Sequence, residues 1–325
     1  MKKVLHVLNC EFILNSDEDI IQFVLNNIPD IKDSVLLNSY TVSYVKDEYE
    51  YKRICQELTN KNIVAFYADE KKEKYIVQDK TILVDEDSVL MNQRGTFTII
   101  GRNEKAKRIL LYLIREAVYE NYILNKDLVL HSAAVELDGK GYALLGHGGA
   151  GKTTLLMELI DKLNANFITN DILAVNSKDE LIASILPLRI ANGSLSRMTH
   201  EKYEDAKEKN RYEIEQFINQ FQCQLKTNVP LDKILLPHFV KNGSLNIQKV
   251  PFQQAYDTII GQTMNIFDPI RPYMWVNEFK REDILKEYDI QEKIRKLIEN
   301  HEVLSVEYGN SMTPKEVEKV LKLLK

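Results

Sequence analysis

The feature that most limits what this chain can become is the run Gly146-His147-Gly148-Gly149-Ala150-Gly151-Lys152-Thr153. It fits the pattern G-x-x-x-x-G-K-[ST], which has physical meaning only where a strand enters it and a helix leaves it. Both conditions are met. Tyr142 to Leu145 is a short apolar run with strand character. Thr153 to Leu163 has the apolar spacing of an amphipathic helix, with Thr153 and Thr154 at its start. Upstream, Leu128 to Leu137 is rich in β-formers and ends on Asp138-Gly139, the dipeptide of a two-residue hairpin turn. Downstream, Phe167 to Val175 reads as a buried strand.

Glycines let a backbone curl so that several N–H groups converge on one anion. The helix that follows adds the positive end of its dipole. The expectation is that the backbone of Gly146, Gly148, Gly149, Ala150 and Gly151 cups a polyphosphate, with Thr154 at the same helix start. Lys152 then bridges the β- and γ-phosphate oxygens, and the Thr153 hydroxyl ligates Mg²⁺. His147 occupies an unconstrained position and reads as an exposed loop residue. The implied ligand is a nucleoside triphosphate with Mg²⁺. No base-recognition element separates ATP from GTP.

Asp171 interrupts the apolar run Phe167 to Val175. A carboxylate in a buried strand is costly unless it meets a cation or a proton, so Asp171 is expected to act in catalysis or in the metal shell. Most loop-type nucleotide enzymes carry that acid on a strand much later in the chain. Here it lies on the very next one.

The stretch from Leu130-His131-Ser132 through the glycine loop to Asp171 resembles the kinase domain of HPr kinase/phosphorylase and its relatives, which share a fold with phosphoenolpyruvate carboxykinase. Three features coincide: a histidine early in the strand before the loop, the loop itself, and an acid that follows closely. The resemblance is strong over residues 128 to 176 and only architectural beyond them. It implies an HPr-kinase-like α/β catalytic domain with a mixed sheet, preceded by a small α+β domain. It implies that His131 lies near the transferred phosphate and that Asp171 is the second of a pair of acids. Asn170 stands where that family has the first acid. An amide cannot accept the proton and is a poorer metal ligand. Either Asp171 therefore works alone or with His131, or catalysis is weak and nucleotide binding is what matters.

The reading adopted is a kinase that moves the γ-phosphoryl group to a hydroxyl of a peptide, protein or small molecule. Lys152 neutralises charge, and Asp171, aided by His131, takes the proton. Arg189 and Arg271 are candidates for a charge clamp, and Asp268 to Trp275 for a substrate loop. A nucleotide-dependent binding or regulatory protein is the first alternative, favoured by Asn170. A carboxykinase-type lyase is the second. The resemblance also raises the expectation of a homo-oligomer.

The rest of the chain divides by pattern. Residues 1–102 are expected to form the small α+β domain. Its strands are expected near 40–45, 62–67, 74–77, 81–84 and 96–100, and its helices near 18–27 and 48–58. Residues 103–325 are expected to form the catalytic domain. It opens with a helix from Asn103 to Asn121 and carries a charged surface helix from Glu201 to Gln222. Further strands are expected near 231–236, 245–249 and 303–308. Thr313, Pro314 and Glu316 carry the capping signals of a last helix that runs to Leu324.

With 43 basic and 48 acidic residues the net charge is −5, which offers no electrostatic reason to bind nucleic acid or an anionic membrane. The three cysteines, Cys10, Cys55 and Cys223, have no metal-ligand spacing and read as free thiols of a reducing compartment. The N-terminus reads as a strand rather than a signal peptide, and no run approaches membrane-span length. A cytoplasmic protein is expected.

Overall fold

A computed structural model of the chain describes residues 1–32, 38–60, 67–69, 72–77, 80–183, 188–199, 209–212, 214–263, 289–309 and 313–324. It is a mixed α/β protein that divides into two compact units, with the break in the described chain after Leu124. That is later than the boundary expected after residue 102. The helix Arg108–Leu124 packs its apolar side on the strands and first helix of the N-terminal unit.

The N-terminal unit contains β1 (Lys2–Leu8), β2 (Cys10–Asn15), α1 (Glu18–Asn27), β3 (Ile31–Lys32), β4 (Asn38–Lys46) and α2 (Glu48–Asn60). There follow β5 (Tyr67–Asp69), β6 (Lys72–Val77), β7 (Lys80–Asp85), β8 (Ser88–Gln93), β9 (Thr96–Gly101) and α3 (Arg108–Leu124). The nine strands form one sheet in the order β3-β1-β2-β4-β9-β8-β7-β6-β5. It is mixed: β2, β4 and β9 run parallel, whereas β5 to β9 form an antiparallel meander. Strands β2 and β8 were not expected from the sequence. The strand expected at 62–67 falls largely outside the described residues. Phe12, Tyr40 and Phe97 stack through the centre of this sheet.

The second unit contains β10 (Leu128–Leu137), β11 (Lys140–Leu145), α4 (Lys152–Leu163), β12 (Asn166–Thr169), β13 (Ile172–Val175), β14 (Glu180–Ile182), β15 (Leu188–Ala191) and α5 (Asn192–Thr199). There follow β16 (Lys209–Tyr212), α6 (Ile214–Phe221), β17 (Val229–Phe239), β18 (Asn246–Lys249), α7 (Phe252–Ile260), α8 (Ile290–Asn300), β19 (Glu302–Tyr308) and α9 (Pro314–Leu324). The expected hairpin is present. β10 and β11 are antiparallel with Leu137 opposite Lys140, and the turn uses left-handed Asp138 (φ 53°) and Gly139 (φ 81°). The main sheet runs β11-β10-β13-β14-β17-β19-β18. Because β11 also pairs with β17, the strands β11, β10, β13, β14 and β17 close a circuit of pairings.

Within this sheet β11, β17 and β19 are parallel neighbours. Their carboxyl ends therefore lie together, the edge at which open α/β sheets hold ligands. On α4, Leu155, Leu156, Leu159, Ile160 and Leu163 are buried, and the helix packs on β10, β11 and α9. Each such side chain contributes about 1.5–3 kcal/mol when fully buried.

Two expectations are corrected. The strand Phe167 to Val175 is broken at Asn170 and Asp171 into β12 and β13, both of which pair with β10. The charged segment Glu201 to Gln222 is not one helix. Where it is described, it holds β16 and the short α6. The aromatic spacing there packs Tyr212, Phe217 and Phe221 together, with Phe167 against Phe217. No helix among the described residues is long and apolar enough to cross a membrane. All three cysteines are free thiols, and burial pushes Cys10 up to about 12 and Cys223 up to about 11.

Candidate functional site

The glycine loop leaves β11 at the carboxyl edge of the parallel strands and turns directly into α4. Gly146, Gly149 and Gly151 have φ of 156°, 85° and 99°. The need for glycine is strictest at Gly151. A Cβ there would lie 2.5 Å from Tyr308 Oη and 2.9 Å from Phe239 Cβ. These two residues end β19 and β17, and they brace the loop from below. The Tyr308 hydroxyl donates to Gly151 O at 2.7 Å, and Phe239 N–H donates to Ala150 O at 3.1 Å. Within the loop, Ala150 N–H donates to His147 O at 3.1 Å. No side chain caps the first turn of α4, so its free amides face the loop.

Lys152 opens α4 and is 9% exposed. Its ammonium donates to Gly146 O at 2.6 Å and contacts His147 O at 3.4 Å, so it is folded over the loop it follows. Burial lowers its pKa, and the charge of Asp171 works in the opposite direction. Lys152 and Asp171 therefore feel each other electrostatically.

Asp171 sits in the break between β12 and β13, opposite the middle of β10 at Ser132. Ser132 N–H donates to Asp171 O at 3.1 Å, which fixes the backbone. Its carboxylate Oδ1 lies 3.2 Å from His131 Nδ1, and both side chains are about half exposed. A pair this open is weak as a stabilising contact. It is well placed to orient the imidazole and to meet a third group arriving from solvent. The strand break explains why an acid survives inside an apolar run: it is extruded, not buried.

Gly146, Gly148, Gly149, Ala150, Gly151 and Lys152 thus lie on one loop, with His131 and Asp171 as a pair within electrostatic reach of its lysine. Thr153 is half-buried in the first turn of α4. Thr154 turns away toward α5, where its hydroxyl is 3.0 Å from Ser194 Oγ. Arg271 and the segment Asp268 to Trp275 lie outside the described residues, as does the side chain of Arg189.

Sequence reasoning missed Gln262, just past α7. Its carbonyl accepts His131 N–H at 2.7 Å, and its amide Nε2 lies 3.3 Å from His147 Nδ1. It therefore joins the His131 strand to the glycine loop. It missed Tyr308 and Phe239 for the same reason: nothing local marks residues that act through distant strand ends.

Among the described residues no group of three or more His, Cys, Asp or Glu side chains could hold a metal ion. The oxygen donors present suit a hard cation held in part by a ligand's own phosphates, which is how Mg²⁺ is usually bound. They are the Thr153 hydroxyl and the Asp171 carboxylate. Beside them in the chain, Asn170 Oδ1 is buried without a hydrogen-bond partner among the described residues. A buried orphan acceptor calls for an ion or a water. Neither a protein-family model nor a curated protein sequence matches the chain.

Proposed function

We propose that this chain is a kinase with an HPr-kinase-like catalytic domain, which binds a nucleoside triphosphate in the glycine loop and transfers its γ-phosphoryl group to a hydroxyl. The observation that carries the reading is the Asp171–His131 pair at 3.2 Å, whose acid acts on the buried Lys152 ammonium of the loop. An anion-binding loop, a cation and a base in one place are the parts that phosphoryl transfer needs.

Loop amides and Lys152 hold and neutralise the phosphates. Thr153 and Asp171, together with phosphate oxygens, would hold Mg²⁺, which would supply charge neutralisation. The acceptor oxygen attacks the γ-phosphorus in line as the bond to the β-phosphate oxygen breaks. The acceptor proton passes to Asp171, whose position His131 fixes. The nucleoside diphosphate leaves. Positioning and electrostatics provide most of the acceleration.

Asn170 favours a second reading, a nucleotide-holding regulatory protein with little transfer. γ-Labelled ATP with Mg²⁺ separates the two. The kinase reading expects labelled product, or slow nucleoside diphosphate release to water where no acceptor is supplied. Lys152→Ala is expected to lose ATP–Mg²⁺ affinity in titration calorimetry. Asp171→Asn is expected to keep most of that affinity, which the loop amides and Lys152 supply, while transfer falls by about 10²–10⁴-fold, the usual contribution of a general base. Unchanged affinity in the lysine variant would remove the loop assignment. Full turnover in the aspartate variant would leave only the holding function.

A further inference from the structure

An open depression of about 490 Å³ lies between the glycine loop and α7, lined by His147, Pro251, Gln253, Gln254, Asp257 and Thr258. We infer that this depression seats the phosphate acceptor and that Asp257 selects acceptors whose hydroxyl lies close to a positive charge. The inference rests on the kinase reading above and names the acceptor chemistry of that same site.

Three observations carry it. The first is location. Gln262, at the end of α7, contacts the His147 ring and accepts the His131 N–H. The depression is therefore tied to the side of the loop that holds His131 and Asp171, where the hydroxyl must arrive. The second is chemistry. Among the described residues its rim offers two primary amides, a hydroxyl, an imidazole and one carboxylate, with no lysine or arginine. Such a surface hydrogen-bonds neutral and cationic groups and offers a carboxylate acceptor no fixed cation. The third is arrangement. Gln253 Nε2 donates to Asp257 Oδ1 at 2.9 Å, which orders the carboxylate along α7, and Asp257 remains exposed. The whole set lies on the described part of one unit.

In the reaction, the acceptor O–H sits near His147 with its cationic group against Asp257. Its oxygen forms the new bond to the γ-phosphorus as the β–γ bridge breaks, and its proton goes to Asp171.

The test uses the full chain with Mg²⁺ and ADP, and two small hydroxyl probes of opposite charge, ethanolamine and glycolate. Side-chain amide resonances of Gln253 and Gln254 are followed by NMR during titration. Ethanolamine is expected to shift them at concentrations about tenfold lower than glycolate, the size of one favourable charge contact at the surface. Asp257→Lys is expected to reverse that order. Equal responses to both probes, no response to either, or an Asp257→Asn variant that keeps the preference would overturn the inference. So would shifts of these amides by adenosine alone, which would make the depression a base pocket. Loss of the kinase reading shows separately, as absence of labelled product and of nucleoside diphosphate release when the wild-type chain is given γ-labelled ATP with Mg²⁺.

Discussion

At the scale of single residues, the site depends on how one lysine is held. The Lys152 ammonium is buried and donates to backbone carbonyls of its own loop, and burial lowers its pKa despite the Asp171 charge. The sign follows. The folded, ligand-free protein binds this proton less tightly than the unfolded chain does. Stability from this group therefore rises as pH rises through its folded pKa, until the unfolded lysine also deprotonates. A polyphosphate over the loop favours the charged form and raises the pKa again. In the alkaline range between the two values, nucleotide binding must take up a proton, and affinity must fall as pH increases. Calorimetry in two buffers of different ionisation enthalpy measures that uptake directly, and a value of zero would show that no anion reaches Lys152. Lys152, His131 and Asp171 could be singled out in the sequence because each belongs to a local pattern: a loop motif, a strand start, an acid in an apolar run. Gln262 was not legible. Its two partners, His131 and His147, lie far from it along the chain, and only the fold brings them together.

At the scale of elements, the loop is shaped as much by its neighbours as by its glycines. Gly151 must be left-handed at φ 99°, and the ends of β17 and β19 leave no room for a Cβ. Gly151→Ala is expected to cost about 1–3 kcal/mol through backbone strain and overpacking together. The readouts are a lower urea midpoint for the unit that holds the loop and weaker ATP binding. Tyr308→Phe removes the hydrogen bond to Gly151 O and should cost about 1 kcal/mol while making room for the added Cβ. If Gly151→Ala costs the same in the Tyr308→Phe background as in the native chain, the close approach of the Tyr308 hydroxyl plays no part in the loop. The hairpin and the loop-to-helix junction were readable because turn residues and periodicity agree there. The break at Asn170 and Asp171 was not. Continuous apolar sequence on both sides looks like one strand, and the two pieces keep one register on β10, from His131 opposite Ile172 to Ala134 opposite Thr169, so the pattern of apolar residues carries no mark of the break. The aromatic spacing over Glu201 to Gln222 reads as helical in the sequence, yet Tyr212 and Phe217 meet across a strand and a helix, not along one helix face.

At the scale of the whole molecule, the sequence order of the second unit conceals how its site is assembled. The loop is encoded near the middle of the chain, yet its two braces come from β17 and, near the C-terminus, β19. Strand β19 lies between β17 and β18 and pairs along its whole length with β17, from Lys233 opposite Glu302 to Phe239 opposite Tyr308. This is why the mixed α/β class could be expected from the sequence while the closed circuit of strands could not. Non-local parallel pairing leaves no pattern in either partner alone. A chain ended at residue 289 would retain every residue of the glycine loop together with His131 and Asp171. It would lose α8, β19 and α9, and with them the Tyr308 side of the floor under Gly151, while Phe239 on β17 stays. Were the site a local strand–loop–helix device, that shortened chain should still bind ATP–Mg²⁺. If the parallel strand ends make the site, it should lose nucleotide affinity and sharp unfolding together. Adding back a peptide of residues 290–325 should restore both in proportion to its binding. Fluorescent nucleotide titration and circular dichroism on the same samples decide between these outcomes. Retained affinity in the shortened chain would show that the brace at Tyr308 is incidental to the loop.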